Sequence, residues 1–120
     1  MHDVTAMFED MAPGELLERV RSGELWQLLD VREPWEVEKA CIEQSSLLPH
    51  CSIINIPMAE VALKLAELEA GRPVAVLCHS GGRSARVAAL LAQQGFERVA
   101  NVRGGIEAWS CEADPSIPRY

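Results

Sequence analysis

A short loop of small residues between an apolar run and a helical pattern is the feature that most constrains this fold. Residues 74–77 are apolar without alternation, which is typical of a strand buried on both faces in a parallel sheet. From Ala85 onward, apolar residues recur at helical spacing until Gly95, a common type of helix end. Because only residues 79–84 separate the two patterns, the segment predicts a strand, a tight loop and a helix, with Cys78 at the carboxyl end of the strand.

The loop has the composition of an anion-binding cradle. Two adjacent glycines, Gly81 and Gly82, let several backbone N–H groups point into one concavity, and the N-terminus of the following helix adds partial positive charge. Arg83 and His79 can add further positive charge, and such surroundings favour the ionised form of a thiol. We therefore interpret Cys78 as a nucleophile; the alternative is a buried cysteine that behaves as a small apolar side chain.

The segment Cys78–Ser84 resembles the active-site loop of the rhodanese sulfurtransferases, in the Cys-x-x-Gly-x-Arg-Ser form of single-domain members. Three further segments are similar to motifs of that family and occur in the family's order: Leu28–Pro34, Asn55–Pro57 and Val102–Trp109. Four motifs in order are far more specific than one. The resemblance implies a rhodanese-like α/β fold, in which a small, mostly parallel sheet is flanked by helices on both faces.

The spacing of the loop separates it from other cysteine loops. Protein tyrosine phosphatases and related arsenate reductases place five residues between the cysteine and the arginine, whereas four residues separate Cys78 from Arg83. The shorter loop suits the outer sulfur of a persulfide better than a tetrahedral oxyanion.

The activity that the resemblance implies is sulfur transfer through a persulfide on Cys78, the predicted catalytic residue. Its thiolate would attack the outer sulfur of a small anionic donor such as thiosulfate, and sulfite would leave. Cyanide in an assay, or a cellular thiol, would then take the sulfur. The predicted substrate-binding residues are those of the loop: His79, Ser80, Gly81, Gly82, Arg83 and Ser84. Arg83 could instead pair with a carboxylate such as Glu107 outside the site, and His79 could point to solvent. Neither a cofactor nor a metal is expected.

Two other functions remain open. A persulfide relay module would use the same Cys78 but would receive sulfur from a desulfurase or pass it to another protein, with residues 39–52 as a docking element. A non-catalytic binding domain of the same fold is disfavoured, because such domains commonly lose the cysteine that this chain keeps.

The rest of the chain predicts alternating strands and helices. Strands are predicted at residues 26–31, 53–56 and 99–102, and helices from Pro13 to Ser22, from Met58 to Ala70 and after Gly104 and Gly105. This alternation implies a parallel sheet with right-handed crossovers, in which ligands bind at the carboxyl ends of the strands. With 120 residues, the chain is expected to form one domain over residues 1–120, with terminal segments at 1–10 and 112–120.

Polar residues follow the first long strand. Asp30 and Arg32 could be catalytic, but we interpret them as groups that tie neighbouring loops together, because persulfide chemistry needs no carboxylate at the sulfur. Trp35 is interpreted as a packing residue rather than a substrate-stacking one.

Residues 39–52 depart from the family pattern, because they replace and lengthen the segment that usually precedes the motif at Asn55. Cys41, His50 and Cys51 could form a metal site or provide a second sulfur-handling thiol. Their irregular spacing favours a surface loop with incidental cysteines.

The acidic composition argues against several partners. A net charge of −7 leaves no cationic stripe for nucleic acid or an anionic membrane. Residues 1–10 lack the basic region and the apolar core of a signal peptide, and no run is long enough to span a membrane. We therefore expect a cytoplasmic protein whose four cysteines are reduced, and, because exposed aromatic anchors are few, a monomer.

Overall fold

The computed structural model describes residues 8–48 and 51–120. The sheet consists of β1 (Glu9–Met11), β2 (Gln27–Asp30), β3 (Ser52–Asn55), β4 (Val74–Leu77) and β5 (Val99–Val102). All neighbouring strands are parallel, in the order β1-β5-β4-β2-β3. The predicted parallel sheet is confirmed, and β4 occupies its centre.

Helices cover both faces of this sheet. They are α1 (Pro13–Arg21), α2 (Pro34–Lys39), α3 (Gly82–Gln93) and α4 (Gly105–Glu112), together with the 3-10 helices Ile42–Gln44, Met58–Leu63 and Leu65–Glu67. Ala75 and Leu77 of β4 pack in an apolar cluster with α1 and α4, whereas Val74 and Val76 pack in a second cluster with α3. The strand is therefore buried on both faces, as its unbroken apolar run predicted. No helix within the described residues has the length and apolar character needed to cross a membrane.

The prediction of one helix from Met58 to Ala70 is wrong, because two short 3-10 helices occupy this segment. The backbone at Lys64 leaves helical geometry, with φ −121° and ψ 24°. Near the end of this segment, the side chain of Gln27 accepts a hydrogen bond from the N–H of Glu69 and donates one to the carbonyl oxygen of Glu69, both at 2.8 Å. A tertiary contact from β2 thus holds backbone groups that a continuous helix would need for itself.

Trp35 does not pack into the core, contrary to expectation, because its side chain is 58% exposed. Helix α2 has only six residues, and the residue that it buries is Glu36. Trp35, which directly precedes Glu36, therefore lies on the solvent side of the helix.

Residues 39–48 are tied to the rest of the molecule. Ile42 and Leu48 are buried, and Ser45 Oγ donates to Asp114 Oδ2 at 2.6 Å. The part of the atypical segment that includes His50 lies outside the described residues.

Candidate active site

The carboxyl end of β4 brings Cys78 to the middle of one edge of the sheet. The neighbouring strands β2 and β5 flank it, and α3 begins at Gly82, earlier than the apolar pattern from Ala85 indicated. Cys78 is fully buried. The first N–H groups of a helix have no partner within the helix, and the first turn of α3 lies against the sulfur, since Ser84 Oγ is 3.2 Å from Cys78 Sγ.

Gly81 turns the chain back over the sulfur. Its φ of +109° lies in the region that residues with side chains rarely adopt. Its N–H donates to Cys78 Sγ at 3.0 Å, and a Cβ atom at this position would lie 3.2 Å from the backbone nitrogen of Gly104. A glycine is therefore required for the turn that brings a backbone donor to the thiol.

The N-terminus of α4 supports the loop. The N–H groups of Ile106 and Glu107 donate to the carbonyl oxygens of Cys78, at 2.9 Å, and of His79, at 3.1 Å. Gly105 has a φ of +62°, and a Cβ atom there would lie 2.5 Å from the Cys78 carbonyl oxygen. Gly104, the N-cap of α4, and Gly105, its first residue, thus let a helix end approach the loop backbone. Sequence reasoning missed this role, although two glycines at the start of a helix are a signal for such an approach.

A chain of polar side chains leads from the sulfur to the edge strand β1. Besides its contact with Cys78, Ser84 Oγ donates to Asn101 Oδ1 at 2.5 Å, and Asn101 Nδ2 donates to Asp10 Oδ1 at 3.0 Å. Because a carboxylate only accepts, Asp10 orients the amide of Asn101 so that its carbonyl oxygen faces Ser84. Asn101 was not predicted, although a polar residue within an apolar strand pattern could have indicated it.

Arg83 of the loop is engaged by a carboxylate of α2. Its Nη1 and Nη2 atoms donate to Glu36 Oε1 and Oε2 at 2.6 and 2.8 Å. This bidentate pairing lowers the pKa of Glu36 from 4.5 to about 2 and raises the pKa of Arg83. The carboxylate that pairs with Arg83 is thus Glu36 and not Glu107. Substrate binding by Arg83 stays a prediction.

Tyr120 lies over the loop. Its ring stacks on the ring of His79, with centroids 4.1 Å apart. Its hydroxyl donates to Glu36 Oε2 at 2.9 Å and accepts a hydrogen bond from Arg32 Nη1 at 3.2 Å. Residues 112–120, predicted only as a terminal segment, therefore contribute a side chain to the site.

Asp30 and Arg32 form a buried ion pair. Arg32 Nε donates to Asp30 Oδ1 at 2.9 Å, and Nη2 donates to Oδ2 at 2.7 Å. The guanidinium also donates to the backbone carbonyl oxygens of Glu36 and Ala40. These contacts agree with the structural interpretation, because they join the end of β2 to α2 and so position the helix whose carboxylate holds Arg83.

The predicted loop residues divide by their contacts. Among the described residues, Gly81 and Ser84 hydrogen-bond to the sulfur of Cys78. Ser80 and Gly82 are exposed at the rim of the loop. The loop residues therefore differ in position, and substrate binding by them stays a prediction.

The other three cysteines are free thiols. Cys51 precedes β3 at the amino end of the sheet, opposite Cys78, and its S–H donates to the carbonyl oxygen of Trp26 at 3.3 Å. Burial raises the pKa of Cys51 to about 11, so this thiol is protonated at neutral pH. Across residues 8–48 and 51–120, no three His, Cys, Asp or Glu side chains are grouped to hold a metal ion.

This arrangement defines a class of α/β proteins in which a central parallel strand presents a cysteine to a glycine turn and to the N-terminus of the following helix. The family model for the rhodanese-like domain matches residues 12–112. The chain belongs to the rhodanese-like family, and the expectation from its motifs is confirmed.

Individual relatives agree with this assignment. A protein named sulfurtransferase from Allochromatium vinosum is 32% identical, and the match covers 92% of this chain and 96% of the relative. The rhodanese-like/PpiC domain-containing protein 12, chloroplastic, of Arabidopsis thaliana is 42% identical over 78% of this chain, which spans 30% of that relative. The crystal structure of a rhodanese-related protein from Thermoplasma volcanium has a TM-score of 0.74 at 32% identity, with 94% of this chain and 100% of the other covered. The rhodanese fold is therefore confirmed in three dimensions.

Proposed function

We propose that this chain is a sulfurtransferase that carries sulfane sulfur as a persulfide on Cys78. The observation that carries the proposal is the N–H of Gly81, which lies 3.0 Å from Cys78 Sγ beside the N-terminus of α3. Both features favour negative charge on sulfur, whether it belongs to the attacking thiolate or to the persulfide. The near-complete overlap with the Allochromatium sulfurtransferase supports the same activity.

The reaction consists of two displacements. In the first, the Cys78 thiolate attacks the outer sulfur of a donor such as thiosulfate, the S–S bond of the donor breaks, and sulfite leaves with the bonding electron pair. In the second, cyanide in an assay or a thiol in the cell attacks the outer sulfur of the persulfide, and the Cys78 thiolate is released. The N–H groups of residues 79–84 bind the outer sulfur, and Arg83 orients an anionic donor through N–H groups that its contact with Glu36 leaves free.

Mass spectrometry after treatment with thiosulfate tests this proposal. The wild-type protein should gain about 32 Da, the mass of one sulfur atom held covalently. The added mass should be absent from Cys78→Ser and present in Cys111→Ser, which removes an exposed thiol instead. An adduct that survives Cys78→Ser would contradict the assigned residue. No adduct with any sulfane donor would favour a non-catalytic binding domain.

A persulfide relay between proteins is the second candidate. It is favoured by the bidentate contact between Arg83 and Glu36, because a cation engaged in this way has fewer N–H groups left for a small anion. Slow turnover with thiosulfate, together with a readily formed Cys78 persulfide from a protein donor, would distinguish the relay from a thiosulfate enzyme.

A further inference from the structure

The cationic side chains of this chain divide into those that pair with a carboxylate and those that do not. At the site, Arg83 binds Glu36 and Arg119 binds Glu107, so the charge of each arginine is compensated by a neighbour. Within the described residues, the cations that lie in no ion pair are Arg21, Lys39, Arg86 and Arg103. The last two belong to the sheet edge at which the loop lies.

Arg103 directly follows β5, and contacts on both sides fix its backbone. Its N–H donates to the carbonyl oxygen of Met11 at 2.8 Å. The next residue, Gly104, lies against the loop, since a Cβ atom on Gly81 would be 3.2 Å from the Gly104 nitrogen. Gly81 in turn donates its N–H to the sulfur of Cys78 at 3.0 Å. The exposed side chain of Arg103 therefore begins one residue away from the turn that covers the sulfur.

Arg86 lies on the same face of α3 as the exposed start of this helix. It follows Gly82 by about one helical turn, so the two residues share one face, and both are exposed. Because the Cβ atoms of a helix tilt toward its N-terminus, the side chain of Arg86 leans back toward Gly82 at the rim of the loop. A second guanidinium without a carboxylate partner among the described residues is therefore directed toward the site.

The two arginines provide local positive charge on an acidic protein. The chain as a whole has a net charge of −7, which disfavours the approach of anions. At the rim, the first N–H groups of α3 have no partner within the helix, and the two guanidinium groups lie beside them. Guanidinium groups bind the oxygen atoms of anions through charge-assisted hydrogen bonds. The rim of the loop is thus suited to anions that the rest of the surface repels.

We infer that Arg86 and Arg103 set the preference of this site for the charge of its sulfur donor. The ligand is a small sulfur donor with anionic oxygen atoms, such as thiosulfate. The two guanidinium groups bind those oxygen atoms while Cys78 attacks the outer sulfur. The inference rests on the proposed persulfide of Cys78, and it adds two specificity-determining residues outside the loop to Arg83 within it.

The first displacement balances with two donors that differ in charge. Thiosulfate is a dianion, whereas the methanethiosulfonate anion carries a single negative charge. With either donor, the Cys78 thiolate attacks the outer sulfur, a new S–S bond forms, and the bond between the two donor sulfur atoms breaks. Sulfite or methanesulfinate leaves with the bonding electron pair, and no other reactant is needed. Cys78 therefore gains the same sulfur atom from both donors.

The difference in donor charge makes the role of Arg103 measurable. The measurement is the second-order rate constant for Cys78 persulfide formation with each donor, followed by quenched mass spectrometry. Because the Coulomb energy is proportional to the charge of the donor, Arg103→Gln should cost about tenfold with thiosulfate and about threefold with methanethiosulfonate. A structural disturbance of the loop would instead lower both rate constants by the same factor.

Further variants show whether the losses arise from charge at the rim. Arg86→Gln should show the same dependence on donor charge, and Arg86→Gln/Arg103→Gln should combine the two losses, because the residues lie on different elements. Arg21→Gln is the matched control, since Arg21 is exposed and ends α1, which leads to the amino end of β2. It should leave both rate constants within about twofold, because distant exposed charges are screened. Circular dichroism establishes that each variant is folded.

Three outcomes would overturn the inference. They are equal fold losses with the two donors in Arg86→Gln/Arg103→Gln, rate constants that this double substitution leaves unchanged, and a loss in Arg21→Gln as large as that in Arg103→Gln. A wild-type protein that forms no Cys78 adduct with either donor would overturn the proposed function instead.

Discussion

The side chains on the two sides of the Cys78 sulfur differ in charge. Behind the sulfur, Ser84 and Asn101 are buried neutral groups linked by hydrogen bonds. In front of it, Glu36 and Arg83 form a charged pair at the entrance. The neutral groups behind the sulfur hold it in position, whereas the charged pair joins the loop to α2. Variants on the two sides should therefore have separable effects on stability and on persulfide formation.

Gly105→Ala should have the largest effect, because it disturbs the support of the loop. The new Cβ atom would lie 2.5 Å from the Cys78 carbonyl oxygen at a φ of +62°. We expect the free energy of unfolding to fall by about 3 kcal/mol and persulfide formation to fall with every donor. Urea denaturation and mass spectrometry measure the two effects. Gly14→Ala is the control, since a Cβ atom there meets open space in α1; equal losses in both variants would contradict the role of Gly105.

Asn101→Leu should disturb only the neutral groups behind the sulfur. It removes the acceptor of Ser84, so we expect a loss of about 2 kcal/mol in the free energy of unfolding. Persulfide formation should slow with thiosulfate and with glutathione persulfide by the same factor. Urea denaturation and the ratio of the two rate constants provide the test, with Glu9→Gln as a control on the neighbouring edge strand. A ratio changed by more than about threefold would show that this side also selects donors.

Acid should weaken the pair at the entrance. The pKa of Glu36 is lowered from 4.5 to about 2 in the folded state, so the pair contributes stability that is fully present above about pH 4.5 and is lost as the pH falls towards 2. Arg83 is 32% exposed, so the contribution should be of the order of 1 kcal/mol after screening. The difference in unfolding free energy between wild type and Glu36→Gln, measured in urea at pH 7, 4 and 2.5, should shrink along this series. A constant difference would argue against the ion pair as its source.

Tyr120→Phe should have the smallest effect. It keeps the ring on His79 but removes the hydroxyl that donates to Glu36. Loss of one of the groups that hold the carboxylate should lower the free energy of unfolding by about 1 kcal/mol. Urea denaturation measures this change. A loss as large as that of Gly105→Ala would mean that the hydroxyl supports more than the carboxylate of Glu36.

Much of the fold could be predicted because the signals are local. The unbroken apolar run of β4, the glycines of the loop and the spacing in α3 lie within one stretch of chain. The segment from Met58 to Ala70 could not be predicted in the same way, because its apolar spacing suits a helix while contacts from Gln27 hold its backbone elsewhere. Asn101 was missed for a related reason, since its partners Asp10 and Ser84 belong to other elements.

By itself, the sequence determined the strand–loop–helix unit around Cys78, because a turn with positive φ needs Gly81 and a buried strand needs its apolar neighbours. Only the tertiary structure decided which carboxylate holds Arg83. Glu36 lies 47 positions from Arg83 and 84 from Tyr120, and the three meet because β2 pairs with β4, so that α2 follows β2 to the edge where the loop begins. Pairings over such distances depend on strand order, which no local pattern of residues encodes.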